Sequence, residues 1–255
     1  MANTPTGNPI GRPGTDPIVV LGLEFGRFPE ASPLNPRFCP GRERLKLTVE
    51  VRLDGPAPLV APAEFLEALQ GTFPSLCRHH CCGDHHLREI FAGEHPPPAC
   101  ALRDTDPATD VAHLLEHLII DFQYFIAAMQ TCSGITCGYE SPRNRFDIFI
   151  ETPDRRVSRL AIDLATPLLA SLLRGASIDP ILSTAIKLAR SVHANRSRPI
   201  TRSTASQWLA GDRNAPRALT MLHDLRFIEE IAMNVNFSRI PLYRMAPEGG
   251  IPSPR

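Results

Sequence analysis

Hydrophobic residues follow a period of two in some segments and helical spacing in others. These segments predict strands and helices in mixed order. Residues 44–53, "RLKLTVEVRL", alternate apolar and polar side chains with a period of two, which is typical of a half-buried strand. Residues 17–26, "PIVVLGLEFG", predict a second strand. The segments "GITCGYE" and "RFDIFIETP" predict two more strands, joined by a turn at "SPRN". In residues 44–53 one apolar face is expected to meet the core: Leu45, Leu47, Val49, Val51 and Leu53.

Helical spacing dominates elsewhere. Asp106 followed by Pro107 is a good N-cap and N1 pair, and the apolar pattern after it predicts a helix from about 107 to 129. A second long helix is predicted over 154–175, with a kink or break at Pro167. Further helices are predicted at four places: 61–73, 86–93, 179–194 and 216–232.

Together these elements predict an α+β fold, in which a small mixed or antiparallel sheet packs with helices. We expect the α+β domain over residues 17–175 and a helical extension over 176–245. Residues 1–16 are rich in Pro, Gly, Asn and Thr and predict a disordered N-terminus. Residues 246–255 predict a flexible tail.

The charge balance narrows the classes of partner. Lys and Arg number 27, as do Asp and Glu, so the formal net charge is zero and nucleic acid is not an expected partner. No apolar run approaches the roughly 18 to 20 residues that span a bilayer, so no membrane association is expected. The N-terminus has no apolar core typical of a signal peptide, and we expect a cytoplasmic protein with reduced thiols. The sequence does not indicate an oligomeric state.

One stretch of the predicted helix carries residues suited to metal chemistry. In "DVAHLLEHLIIDFQ", His113 and His117 are four residues apart and therefore lie on the same side of a helix. Imidazole is a good Zn²⁺ ligand, and Glu116 between them can serve as a general base. A catalytic zinc needs a third ligand from elsewhere in the chain. The plainer interpretation is a pair of helix-edge histidines bonded to nearby carbonyls.

A segment rich in Cys and His precedes this helix. Residues 77–86, "CRHHCCGDHH", hold three Cys and four His, the side chains that zinc prefers. The segment can donate one ligand to a site shared with the helix, or form a separate structural zinc site. A reactive or adventitious cluster is the third interpretation. We favour one donated ligand, because the paired spacing of structural sites is not clear here.

These segments resemble a known family. "FLEALQGTFPSLCRHHCCGD", "TDVAHLLEHLIIDFQ" and "GITCGYE…RFDIFIET" are similar to the amino-terminal domain of cyanophycin synthetase, over roughly residues 44–175. In that family the domain contacts an Asp–Arg polymer, and in some members it holds a metal-dependent site that cleaves the polymer. The resemblance implies metal ligands at Cys81, His113 and His117, with Glu116 as the base. It places His79 and Asp121 nearby as supporting residues.

The resemblance also has departures. Ala112 stands where the family has Gly, and residues 138–141, "GYES", replace its Gly-Arg-Thr-Arg. The sequence has no phosphate-binding G-x-x-x-x-G-K-[ST] loop, so the resemblance implies a hydrolytic or binding module and not an ATP-driven synthetase. Insulinase-like peptidases share His-x-x-Glu-His but use a glutamate on a downstream helix. Between His117 and Arg226 the only glutamates are Glu140 and Glu151, in predicted strand or turn segments, which disfavours that family.

The leading functional hypothesis is a zinc-dependent hydrolase of amide or peptide bonds, with a peptide or an Asp–Arg-like polymer as substrate. The alternative is a non-catalytic peptide-binding, polymer-binding or regulatory module that retains the fold. A third hypothesis is a redox or structural metal protein built around residues 77–86.

Overall fold

The computed structural model of the chain describes residues 16–53, 107–235 and 238–247. Several predictions concern segments outside these ranges. They are the disordered N-terminus up to residue 15, the helices at 61–73 and 86–93, the Cys–His-rich segment at 77–86, and the tail from residue 248.

A four-stranded antiparallel sheet forms the centre of the fold. Its strands have the following bounds: β1 Ile18–Gly26, β2 Arg44–Val51, β3 Gly134–Gly138 and β4 Arg145–Glu151. Their order across the sheet is β1-β2-β4-β3, and every pair is antiparallel. With the helices described below, this confirms the predicted α+β class.

Strand β2 shows the predicted alternation. Leu45, Leu47, Val49 and Val51 are buried, while the residues between them are half-buried. The strand ends two residues earlier than predicted, because Val51 pairs with Ile18 at the very start of β1. Leu53 therefore lies beyond the last paired residue, although it still packs against the core.

Two long helices cover the face of the sheet to which these residues point. They are α1, Pro107–Ile126, and α2, Arg155–Leu173. Asp154 caps α2 by accepting a hydrogen bond from the Arg156 backbone N–H at 2.9 Å. The helix is not broken at Pro167, which is exposed. Buried leucines on both sides of Pro167, Leu164 and Leu168 among them, anchor both halves of α2 in the same core.

The C-terminal part adds three helices and a hairpin. Their bounds are α3 Pro180–Ala194, α4 Arg202–Trp208, α5 Ala215–Asp224, β5 Ile228–Val235 and β6 Ser238–Met245. Strands β5 and β6 pair with each other as a two-stranded antiparallel sheet. Helices α3 and α5 bury their apolar faces in the same core as α1 and α2.

The prediction of a helical extension over 176–245 is wrong from Leu225 onward, where two strands follow the helices. The helix that was predicted over 216–232 ends at Asp224. Two residues later, Arg226 adopts a left-handed φ of 57°. The N–H of Phe227 donates to the Leu222 carbonyl and that of Arg226 to the His223 carbonyl, which is the Schellman ending of a helix. The following residues then find their backbone partners in β6, and strand pairing prevails over the helical spacing of the apolar residues.

A loop packs on the opposite face of the four-stranded sheet. Ala31 and Phe38 from this loop bury Phe149 of β4. The side-chain amide of Asn35 donates to the Gly134 carbonyl at 2.7 Å, which fastens the loop to the first residue of β3. Edge strand β3 is therefore held between this loop and α1.

None of the helices in the described ranges combines the length and the apolar character needed to cross a bilayer.

Candidate functional site

The structure brings His113 and His117 together on α1. Their Nε2 atoms are 3.1 Å apart, and the rings meet edge to face with centroids 4.7 Å apart. The spacing of four residues accounts for this contact, because it places the two side chains one above the other on the helix. Each ring therefore places its Nε2 atom next to the Nε2 atom of the other ring.

The two histidines differ in depth. His117 is only 4% exposed, whereas His113 is half-buried and reaches closer to the surface. His117 is thus buried more deeply than a helix-edge position predicts. The pair runs from the core outward, which leaves one side of His113 accessible.

Glu116 lies on the same turn of α1 and is 2% exposed. Its Oε2 accepts a hydrogen bond from the Thr136 hydroxyl of β3 at 2.5 Å. A buried carboxylate without such a donor would be costly. Thr136 therefore supports the charge that a general base needs.

Gly134 leaves space for the other oxygen of Glu116. A Cβ added at this glycine would lie 2.7 Å from Oε1 of Glu116 and 3.0 Å from Cδ1 of Ile120. Contacts that short do not occur in relaxed structures, so any larger residue at this position would push the carboxylate away. Strand β3 thus helps to position Glu116 in two ways. The Thr136 hydroxyl donates a hydrogen bond to it, and Gly134 has no side chain that would displace it.

Sequence reasoning did not identify Thr136 or Gly134. The available signal was the alternation in "GITCG", which places the small residues Gly134, Thr136 and Gly138 on one face of the strand. Such a face permits a close approach by a polar helix side chain.

Two cysteines lie near Glu116 and are not activated by it. Burial raises the pKa of Cys132, and the charges of Glu151 and Glu116 raise it further. Burial likewise raises the pKa of Cys137, with added contributions from Glu116 and Asp147. Both thiols are therefore protonated at neutral pH, which is unsuited to nucleophilic catalysis.

Asp121 lies on the same side of α1 as the two histidines. It follows His117 by four residues, as His117 follows His113, and it is 3% exposed. Side chains of a helix lean toward its N-terminus, so Asp121 leans toward His117.

Cys81 and His79, the other two residues of the predicted site, lie outside the described residues. Within the ranges that the structure describes, no three His, Cys, Asp or Glu side chains gather in an arrangement suited to a metal ion. The described residues thus include two of the predicted ligands, the predicted base and the supporting residue Asp121.

The histidine pair fits a zinc ion in its dimensions. With Zn–N bonds of about 2.0–2.1 Å, two ligands of a tetrahedral ion are separated by about 3.3–3.4 Å. The observed separation of 3.1 Å between the Nε2 atoms is within a few tenths of an ångström of that. The same separation suits a hydrogen bond in which one Nε2–H donates to the other Nε2.

Comparison with known proteins assigns no family, because no protein-family model matches the sequence and no curated protein matches it. The resemblance to the cyanophycin synthetase domain stays a prediction.

Proposed function

We propose that the protein is a zinc-dependent hydrolase of amide bonds, with His113 and His117 as metal ligands and Glu116 as the general base. The observation that carries the proposal is the approach of the two Nε2 atoms to 3.1 Å on the helix turn that also holds Glu116. Two imidazole nitrogens and one adjacent carboxylate are the donor set and the base that such chemistry uses.

A third ligand completes the proposed site. The resemblance nominates Cys81, whose thiolate would join the two imidazoles and leave the fourth position open. When bound, zinc would polarise the substrate carbonyl and lower the pKa of a bound water.

Glu116 is the residue that moves a proton in this proposal. Thr136 engages one carboxylate oxygen and Gly134 leaves room beside the other, so the group is held in one orientation. The carboxylate accepts a proton from the attacking water. The carboxyl group then returns that proton to the leaving amine.

Asp121 is proposed to orient His117. A carboxylate one turn further along the helix is positioned to accept a hydrogen bond from Nδ1–H of that ring. This would fix the tautomer in which Nε2 carries the lone pair for the metal. We expect His79 to play a similar supporting part on the other side of the site, as the resemblance implies.

The proposed substrate is a peptide or an Asp–Arg polymer, and the proposed compartment is the cytoplasm. Both come from the sequence and not from the geometry of the site. An extended chain of aspartate and arginine residues suits a neutral protein, because it needs no excess of either charge on the surface that binds it.

The test combines metal analysis with turnover. Purified protein is analysed for bound zinc and then incubated with an Asp–Arg polymer and with a mixed peptide library. We expect cleavage that a chelator abolishes and added zinc restores.

The Glu116→Gln variant should bind zinc without cleaving, and His113→Ala should lose both. His223→Ala, which changes an exposed histidine of α5, is the control. A protein without zinc, or a Glu116→Gln variant with full turnover, would refute the proposal.

A second candidate is a non-catalytic binding module. It is favoured by the two contacts His113–His117 and Glu116–Thr136, both of which have the geometry of hydrogen bonds. Saturable binding of the same peptides, with no cleavage in the presence of zinc, would favour this candidate over the hydrolase.

A further inference from the structure

A cleft of about 800 Å³ lies between α2 and the segment that connects α5 to β5. Among the described residues, His113, Glu116, His117 and Asp121 do not line it. Its volume falls within the range of roughly 300–1,000 Å³ that is usual for small-molecule sites. The cleft is therefore a candidate for a second site, independent of the proposed hydrolase.

The cleft has an apolar side. Its floor is formed by Leu160, Phe227 and Ile228, which are almost fully buried, and its accessible apolar atoms belong to the less buried Leu225 and Pro247. Leu225 packs against the main core cluster, which holds it in place. Leu225 and Pro247 offer a surface to the apolar part of a ligand.

Arg159 adds hydrogen-bond donors to the cleft. Its Nε donates to both carboxylate oxygens of Asp163, at 3.0 and 2.9 Å. This fixes the guanidinium plane, while the two terminal nitrogens make no hydrogen bond to any described residue. The Arg159 side chain is 33% exposed, so these nitrogens are accessible.

Arg226 adds a second set of donors. Its backbone is fixed by the left-handed φ of 57° and by the hydrogen bond from its N–H to the His223 carbonyl. Its guanidinium forms no hydrogen bond or ion pair within the part of the chain that the structure describes. A solvent-exposed arginine on a fixed turn is well placed to contact an incoming anion.

Of the three carboxylates that line the cleft among the described residues, Asp163 and Glu229 have arginine partners. Asp163 is bound by Arg159, Glu229 accepts from Arg244 at 2.6 Å, and Asp224 lies 3.7 Å from His223. Burial raises the pKa of Asp163 against the opposing influence of Arg159. The terminal nitrogens of Arg159 and the guanidinium of Arg226 are therefore the donors that the cleft offers to a ligand.

We infer that this cleft binds a small organic carboxylate, with Arg226 and Arg159 contacting the carboxylate and with Leu225 and Pro247 contacting an apolar body. Planar guanidinium groups suit the two oxygens of a carboxylate. The apolar side of the cleft selects ligands that carry a hydrocarbon or aromatic group next to that anion.

The probe for this site is 4-phenylbutyrate, titrated into the full chain and followed by NMR of the protein and the ligand. Its neutral isostere, 4-phenylbutyramide, should bind about tenfold more weakly or worse, because a charge-assisted hydrogen bond contributes about 1.5–3 kcal/mol. Acetate, which lacks the apolar body, should not compete. Phenyl phosphate tests the other common anion, and tighter binding of that compound would overturn the assignment to carboxylates.

Variants locate the binding. Arg226→Gln should weaken 4-phenylbutyrate about tenfold, as expected for the loss of a charged donor, and Arg226→Lys should restore part of the affinity. Arg217→Gln removes an exposed arginine of α5 that does not line the cleft, and it should bind as the wild type does. Equal binding of the amide, no effect of Arg226→Gln, or no binding of 4-phenylbutyrate at millimolar concentration would each overturn the inference. Zinc content and turnover are not involved in any of these outcomes.

Discussion

Thr136 donates a hydrogen bond of 2.5 Å to Glu116 and so joins edge strand β3 to the helix that carries the two histidines. Glu116 is buried, and Oε1 on its other side lies against the gap left by Gly134. The position of the proposed base is therefore set by a strand whose contacting residue, Thr136, follows it by 20 residues in the chain. Changes in β3 are expected to affect Glu116 without touching α1.

Replacing Thr136 tests this dependence. Thr136→Val keeps the shape of the side chain but removes the hydroxyl donor to a buried carboxylate, which should lower the free energy of unfolding by about 1–3 kcal/mol. Thr136→Ser keeps the hydroxyl and should lose less, about 0.8 kcal/mol for the missing methyl group. Urea unfolding of both variants measures the difference. A valine variant as stable as the serine variant would contradict the role given to this hydrogen bond.

Gly134 supplies a second test by addition of one methyl group. Gly134→Ala places a Cβ 2.7 Å from Glu116 Oε1, and we expect a loss of about 1–3 kcal/mol in unfolding free energy from overpacking. Gly138→Ala is the matched control on the same face of β3, because its Cβ would meet Phe146 at an ordinary 3.4 Å. In a Glu116→Ala background the cost at Gly134 should shrink. Equal costs with and without Glu116 would show that the carboxylate is not the group displaced.

Much of the fold was predictable from local pattern, whereas the environment of the site was not. The period of two in β2 and the apolar stripe of α1 predicted their buried faces, since each pattern depends only on spacing along its own element. The strand at Ile228 was missed because "FIEEIA" has helical spacing, and only its pairing partner near Met245 makes it a strand. Thr136 and Gly134 were missed because their contact with Glu116 depends on how a strand and a helix pack, which spacing does not encode.

The lowered pKa of the Asp154 carboxyl predicts that part of the unfolding free energy depends on pH in the acid range. Burial alone would raise the pKa of this carboxyl, but the His193 ring, whose Nε2 lies 3.8 Å away, and the hydrogen bonds from Arg156 outweigh it and hold the pKa well below its ordinary value. A lowered folded pKa means that the contribution is present above the unfolded value of about 3.9 and is lost as pH falls below it. Asp154→Asn keeps an acceptor for the helix cap but removes the charge.

The expected result is that the wild type exceeds Asp154→Asn in unfolding free energy at pH 7. The difference should narrow as pH is lowered from about 5 through 4 and below. Urea unfolding at a series of pH values measures it. Asp179→Asn changes the residue that caps α3 through the Ile181 N–H and controls for the substitution of a cap. A difference that stays constant down to the acid limit of folding would rule out Asp154 as the source.

Asp121 gives the sharpest test of the proposed metal site, because it would act on zinc only through His117. Asp121→Asn should weaken zinc binding about 10- to 100-fold, as loss of a carboxylate that orients a ligating histidine does. His117→Ala should weaken it further, since it removes a ligand outright.

Zinc affinity is measured by competition with a chromophoric chelator, and Asp224→Asn, at an exposed carboxylate of α5, serves as the control. Circular dichroism separates loss of metal from loss of fold. If His117→Ala loses zinc while Asp121→Asn keeps wild-type affinity, Asp121 has no part in orienting the ring; if neither variant changes the affinity, the histidine pair is a hydrogen-bonded element of the core.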